Sequence, residues 1–276
     1  MRVAIYRVLY GEDFIQESIR SILPHVDQVV VAMARRPWGS SKGVTYEGAW
    51  VPWPDRFDET RDKLSALAEP RVEVIEDTWP MPANQHQHLV NDRVSPKYRP
   101  EEVVLIEPDH VFHEDQAERA FSEWNVTSIW RTRQASTRMI ELWRSPAWRI
   151  AQRHRPSVMF HRLFGHPMRQ TSGDGGQAGQ STFWLKAEVH NLGFCFSEKV
   201  MRWKHLTALA FSDEIGDAPP DPAWLARWLA WKPGDRDLEV SLGGQHTISE
   251  AVPYDLNALP ARIRARYDAG EWRHLP

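Results

Sequence analysis

Short apolar runs rich in β-branched residues alternate with helically spaced stretches over the first 110 residues. This alternation constrains the fold more than any other feature of the chain. Val3–Leu9 reads as a strand. Glu12–Leu23 then sets Phe14, Ile15, Ile19, Ile22 and Leu23 at helical spacing and stops at Pro24. Gln28–Ala34 is apolar at nearly every position, as a strand covered on both faces must be. The Pro- and Gly-bearing stretch 36–56 reads as a loop. A helix over Asp58–Ala68, a strand over Arg71–Glu76, a helix over Asn84–Asn91 and a strand over Val103–Ile106 complete the series. Strands separated by helices predict an α/β fold, with a doubly wound, mostly parallel sheet and helices on both faces. Such sheets bind ligands beyond the carboxyl ends of their strands, here Tyr6-Arg7, Arg35-Arg36, Asp77 and Glu107-Pro108-Asp109.

The remainder is less regular. A helix is expected over Glu114–Trp124, strands over Val126–Thr132 and Met139–Trp143, and helices over Ser197–Ala210 and Ala223–Trp231. Gln170–Gln180 is a Gly-rich polar loop. No run of 18 apolar residues occurs, so no integral membrane segment is expected. The opening residues lack the long apolar run of a secretion signal. The lone Cys195 excludes an internal disulfide, and a cytoplasmic location fits.

Charge is unevenly spread. The chain carries −3 in total, yet Arg131–Gln170 holds nine arginines and the single acid Glu141, a net +8. The Arg131–Arg169 segment therefore reads either as a solvated basic face or as the contact for an anionic partner, since arginine forks suit phosphate and carboxylate. Among 14 tryptophans, Trp124, Trp130, Trp143 and Trp148 interleave with or flank this segment and are candidates for stacking on a ligand.

The apolar run Val103–Ile106 ends in two carboxylates spaced i, i+2, Glu107 and Asp109, which can reach one hard cation. Here the chain resembles the family-2 glycosyltransferases of the GT-A fold, whose strand leads into Asp-x-Asp. Glu107 stands where the first Asp usually is, and Asp109 where the second is. The opening Tyr6–Ile22 is similar to the family's first strand, turn and helix, without the usual Asn at the turn. The likeness covers roughly residues 1–125. It returns at Val189-His190-Asn191-Leu192-Gly193-Phe194, which is similar to a His-x-Gly-aromatic segment that leads into a basic helix.

The resemblance implies a nucleotide-sugar-binding half over 1–125 and an acceptor half over 126–276 in one continuous unit. It implies a divalent metal (Mn²⁺ or Mg²⁺) held by Asp109, Glu107 and His190, and a nucleotide diphosphate sugar, UDP-sugar foremost, as donor. The reaction implied is transfer of a hexosyl or pentosyl group to an acceptor hydroxyl, with inversion. Tyr6 and Arg7 are candidates for base and phosphate contacts. Asp77 is either a base contact or a turn cap, and Asn84 a donor contact or a helix N-cap. Inversion needs a carboxylate base. Asp174 and Glu141 are the candidates, against a turn residue and an ion-pair partner respectively. The acceptor is a saccharide, a phosphorylated molecule or a nucleic acid, including a modified base in phage DNA. A nucleotidyltransferase and a non-catalytic nucleic-acid-binding protein are the alternatives.

Overall fold

The computed structural model describes residues 1–9, 12–36, 42–54, 58–78, 88–127, 132–151, 156–168, 181–215, 221–239, 247–273 and 275. The first half contains β1 (Arg2–Val8), α1 (Ile15–Ile22), β2 (Gln28–Ala34), β3 (Gly43–Tyr46), β4 (Ala49–Pro52), α2 (Asp58–Ser65) and β5 (Val72–Asp77). A helical stretch over Leu89–Val94 then runs into α3 (Ser95–Tyr98), followed by β6 (Glu102–Ile106). The second half contains β7 (His110–Val111), α4 (Glu114–Val126), β8 (Gln134–Trp143), β9 (Ser145–Ile150), β10 (Pro156–Arg162) and β11 (Phe183–Phe194). After these come α5 (Glu198–Ile215), α6 (Trp224–Ala230), β12 (Arg236–Glu239), β13 (Thr247–Pro253) and α7 (Ala261–Asp268).

The expected parallel sheet is present as β6-β1-β2-β5, with every neighbouring pair parallel. β1, β2 and β6 are apolar at nearly every position because both faces are covered, whereas the edge strand β5 carries Glu73, Glu76 and Asp77 and is only partly buried. Ile5, Val30, Val103 and Leu105 face a cluster that includes Phe14, Trp224, Trp228 and Trp272. Ala4, Tyr6, Val31 and Val104 face α1 and α4, through Ile15, Ile19, Ile22, Ala120, Phe121 and Trp124. Beyond β6 the same sheet continues with β10 antiparallel to β6 and to β8. β8 is flanked on its other side by β11, in parallel. One sheet thus runs through both halves of the chain.

Three expectations change. Residues 43–52 form a hairpin rather than loop, turned at Glu47 and Gly48, both with positive φ (51° and 77°). Two consecutive left-handed residues are what a two-residue hairpin turn requires. The strand expected over Val126–Thr132 does not start there, because α4 continues through Val126. The tail from Asp213 adds β12, β13 and α7 to the architecture. No helix among the described residues is long and apolar enough to cross a membrane.

The arginine-rich segment divides. Arg162 is buried, stacked 3.9 Å over the Trp124 ring. It donates to the carbonyls of Trp124 (2.7 Å) and Thr132 (3.2 Å), to Thr127 Oγ1 (3.0 Å) and to Glu102 (3.3 Å). Arg144, also buried, stacks 3.9 Å over Trp228 and donates to the Leu229 carbonyl (3.3 Å). Trp124 and Trp143 are core residues, and Trp148 packs edge-on against Trp231. These side chains hold the fold and are not offered to a ligand. Arg131, Arg153, Arg155, Arg169 and Trp130 lie outside the described residues.

Arg162→Met would remove the buried donor to the Thr132 carbonyl and to Thr127 Oγ1, and one of the two arginines paired with Glu102, the other being Arg2 (2.6 Å). It should lower stability by about 3 kcal/mol in urea unfolding. An arginine kept for an external anion would leave the unfolding midpoint nearly unchanged.

Candidate active site

β1 and β6 lie side by side in parallel register, Tyr6 opposite Ile106, so Arg7 and Glu107 leave the sheet next to each other. The Arg7 guanidinium pairs with Glu107. After Glu107 the chain turns at once, His110 N–H donating to the Glu107 carbonyl (3.1 Å). Helix α1 fixes that turn. The Ser18 hydroxyl donates to the His110 carbonyl, and the Ser21 hydroxyl accepts from Phe112 N–H (3.2 Å). Asp109 is thereby lifted beyond the strand ends, 13% exposed.

The far wall comes from the second half. β7 pairs with the end of β11, His110 opposite Asn191, and Leu192 N–H donates to the Asp109 carbonyl (2.8 Å). The next residue, Gly193, carries its carbonyl to Lys204 Nζ (2.9 Å), which reaches in from α5 and stops 3.6 Å from Asp109 Oδ2. A Cβ on Gly193 would sit 2.4 Å from Asp109 Oδ2 and 2.8 Å from Lys204 Nζ, so a larger residue would push the ends of these side chains from their present places. Glu12, at the head of α1, is 4% exposed and lines the same space. Burial, reinforced by the Asp109 carboxylate, pushes its pKa well above the ordinary carboxylate range, and Lys204 offsets this in part. His110 is buried, its Nε2 3.7 Å from Asp109 Oδ1, and burial lowers its pKa.

Together Arg7, Leu9, Glu12, Glu107, Asp109, His110, Asn191, Phe196 and Lys204 line a cleft of about 250 Å³. A larger cleft of about 790 Å³, lined by Asn91, Arg99, Glu101, Arg162 and Phe164, sits at the amino end of β6. Size favours the second, but position and chemistry favour the first. It lies at the carboxyl ends of parallel strands and gathers six ionisable side chains, acids and bases together.

Of the residues singled out in the sequence, the structure brings Arg7, Glu107 and Asp109 together. Tyr6 is elsewhere, wholly buried on the opposite face of β1 with its hydroxyl 3.2 Å from that of Ser18. Strand alternation sends it away from Arg7. Asp77 caps its own turn, accepting from Thr78 N–H (2.8 Å), and pairs with Arg93 (3.2 Å). His190 precedes Asn191 on β11 and points to the other face, where its Nε2 meets the Tyr254 hydroxyl (2.9 Å). It does not reach the cleft. Glu141 is buried on β8, level with Asn191. Asn84 and Asp174 lie outside the described residues. Glu12 and Lys204 were not among the residues singled out, and Asn191 and Gly193 were quoted only as part of the segment around His190.

The donor set is oxygen, which suits a hard divalent cation. Among the described residues no three His, Cys, Asp or Glu side chains form a metal-binding group. The chain thus offers two carboxylates, Asp109 and Glu107, and a cation there would take its other ligands from a bound anion. That division is usual for Mg²⁺-type sites completed by substrate phosphates. The three carboxyl groups outnumber the two cations, and the Asp109 and Glu107 carboxylates add to the burial that raises the Glu12 pKa.

No protein-family model matches the sequence, and no curated protein does. Solved structures do match in shape. Glucosyl-3-phosphoglycerate synthase from Mycobacterium tuberculosis, in complex with Mn²⁺, UDP-glucose and phosphoglyceric acid, aligns at TM-score 0.34 and 15% identity. That alignment takes in 50% of this chain and 44% of the synthase, so the chain matches under half of that protein's length. A complex of the same synthase with Mn²⁺, UDP and phosphoglyceric acid aligns at TM-score 0.42 and 12% identity over 92% of this chain and 87% of that one. The inositol-1-phosphate CTP transferase of T. maritima aligns at TM-score 0.42 and 10% identity over 75% and 96%.

Two acid–base measurements follow. Burial, its largest cause, lowers the His190 pKa to about 4. An unfolded histidine titrates near 6.5. The unfolded chain therefore binds this proton first as pH falls, and stability drops between about pH 6.5 and 4, by up to about 3 kcal/mol. The difference between wild type and His190→Gln in urea unfolding should follow that window. Glu12 has the opposite dependence. Its folded pKa is raised, so folding is penalised as pH rises above the ordinary carboxylate value. Glu12→Gln should be more stable than wild type at pH 8 and lose that advantage towards pH 4. An advantage that does not vary with pH would mean that Glu12 is ionised in the free protein.

Proposed function

We propose that the cleft binds the diphosphate of a nucleotide sugar and that the chain is a glycosyltransferase acting on an acceptor hydroxyl. One arrangement carries this reading. Two cation–carboxylate pairs, Arg7 with Glu107 and Lys204 with Asp109, converge beyond the carboxyl ends of adjacent parallel strands. Arg7 and Lys204 supply donors for phosphate oxygens. The carboxylates repel a bare diphosphate, so the anion must bring positive charge with it. Asp109 and Glu107 would hold a divalent ion, Mn²⁺ or Mg²⁺, which neutralises charge on the departing diphosphate. UDP-sugar is the first donor to test. Glu141, on β8 beside Asn191, is the described carboxyl proposed to take the acceptor's proton in an inverting displacement.

The experiment is a thermal-shift screen of nucleotide sugars and nucleoside diphosphates with and without Mn²⁺, followed by turnover of any donor that binds. A ligand at about 100 times its Kd adds roughly 2.7 kcal/mol of stability. One diphosphate should stabilise the protein with Mn²⁺ present, and Asp109→Asn should abolish that shift and at least about 100-fold of turnover, the scale of losing a charge-stabilising group. Consumption of a nucleoside triphosphate with release of pyrophosphate would instead identify a nucleotidyltransferase. Stabilisation by no nucleotide under any condition would defeat the proposal.

A further inference from the structure

We infer that Lys204 is a resident diphosphate-binding cation of the cleft, delivered from α5 through the space that glycine leaves at position 193. The inference rests on the nucleotide-sugar reading. Three features set this lysine apart from a surface cation. First, its ammonium is fixed at both ends of its reach. Gly193 O accepts at 2.9 Å and Asp109 Oδ2 lies at 3.6 Å. The carbonyl takes one of the three N–H donors of the ammonium, and Asp109 holds its charge at ion-pair distance. Second, its stem is enclosed, with Nζ 5.2 Å from the ring centres of both Phe194 and Phe196 and the side chain 19% exposed. Its position is therefore set before a ligand arrives, which reduces the ordering cost of binding. Third, the backbone is shaped around it. Asn191 Oδ1 accepts from Gly193 N–H (2.7 Å), closing the turn that aims the Gly193 carbonyl, and the missing Cβ leaves room for Nζ and Oδ2 at once.

A lysine serving only to neutralise Asp109 would need neither the glycine nor the carbonyl. With both, the charge sits beside the carboxylate proposed for the metal, facing the cleft that Arg7 and Glu12 line. A diphosphate oxygen entering there meets a fixed ammonium as well as any ion it carries. Lys204 is thus assigned to binding the anion and to stabilising it as a leaving group.

The test is calorimetric titration of UDP, GDP, CDP and ADP, and of inorganic pyrophosphate, into the full chain in Mn²⁺ at several salt concentrations. Wild type, Lys204→Met and Lys204→Arg are compared, each checked for a cooperative thermal transition. The diphosphate that binds wild type should bind Lys204→Met about 10- to 100-fold more weakly, the scale of one charged hydrogen bond. Its affinity should also depend less on salt, a change that loss of packing alone would not produce. Lys204→Arg should recover part of the affinity, and Gly193→Ala should match the methionine variant. If methionine does not fold, Lys204→Gln takes its place. Unchanged or tighter binding by the folded neutral variant, with unchanged salt dependence, overturns the assignment and leaves the nucleotide-sugar reading standing. No binding of any diphosphate by wild type overturns both.

Discussion

The site depends on one backbone contact, the pairing of β11 with the two-residue strand β7 immediately after Asp109. Leu192 N–H on the Asp109 carbonyl is its first bond. Without it the carboxyl ends of β1 and β6 would open to solvent, and a carboxylate pair at strand ends would be only a charged turn. With it, a strand that begins at Phe183 on the far side of β8 delivers Asn191, Gly193 and then α5 to the same place. The contact costs little, because β7 needs only two residues to register it. What makes it durable lies elsewhere. Phe14 stacks on Phe196 and Trp272 (5.3 and 6.1 Å), Trp272 Nε1 donates to the Cys195 carbonyl, and Arg266 holds the Asp13 carbonyl and Glu17. The C-terminal helix thus clamps the β1–α1 turn and the β11–α5 turn together, behind the cleft.

Charge in that space is arranged against the preference of a folded interior. Glu12 is almost fully buried beside Asp109, and burying a carboxyl near another carboxylate destabilises the fold. A core optimised for stability would place Gln or Leu there. The cost is concentrated where Arg7, Glu107 and Lys204 also converge, and that concentration is what makes the cleft the candidate site.

The parallel core was legible because its signal is local. β2 is read with its observed bounds, Gln28–Ala34, and β1 and β6 to within a residue, because a strand covered on both faces is apolar at nearly every position; the edge strand β5 is read within a residue from its Val72, Val74 and Ile75. Arg7, Glu107 and Asp109 were legible for the same reason, since they follow such runs directly. What was not legible is non-local. Lys204 is a polar position on a helix, indistinguishable by spacing from Lys199 or Arg202. It becomes a site residue only through a contact with Gly193, eleven residues earlier. His190 shows the converse: a conspicuous residue in a suggestive segment, turned to the wrong face by the two-residue period of its strand. The neighbour Asn191 occupies the cleft instead, so a one-residue reading error there exchanges a core residue for a site residue. Tyr6 and Arg7 repeat the lesson on β1.

The arginine cluster shows how far composition alone can carry a functional argument. A net charge of +8 over 40 residues invites an anionic partner, yet Arg162 and Arg144 are consumed by the chain. Each sits over a tryptophan ring and donates to the carbonyl of a helical residue, Trp124 of α4 and Leu229 of α6. A guanidinium suits this use because it stays charged when buried, stacks on an indole and offers up to five donors in one plane. Carbonyls near a helix's carboxyl end sit at the negative pole of its dipole, which stabilises a buried cation there, and Arg162 is further balanced by Glu102, an acid outside the segment. The excess of arginine over acid is therefore partly a record of how α4 and α6 are capped. The arginine and lysine that line the cleft, by contrast, are Arg7 and Lys204, which lie outside that segment.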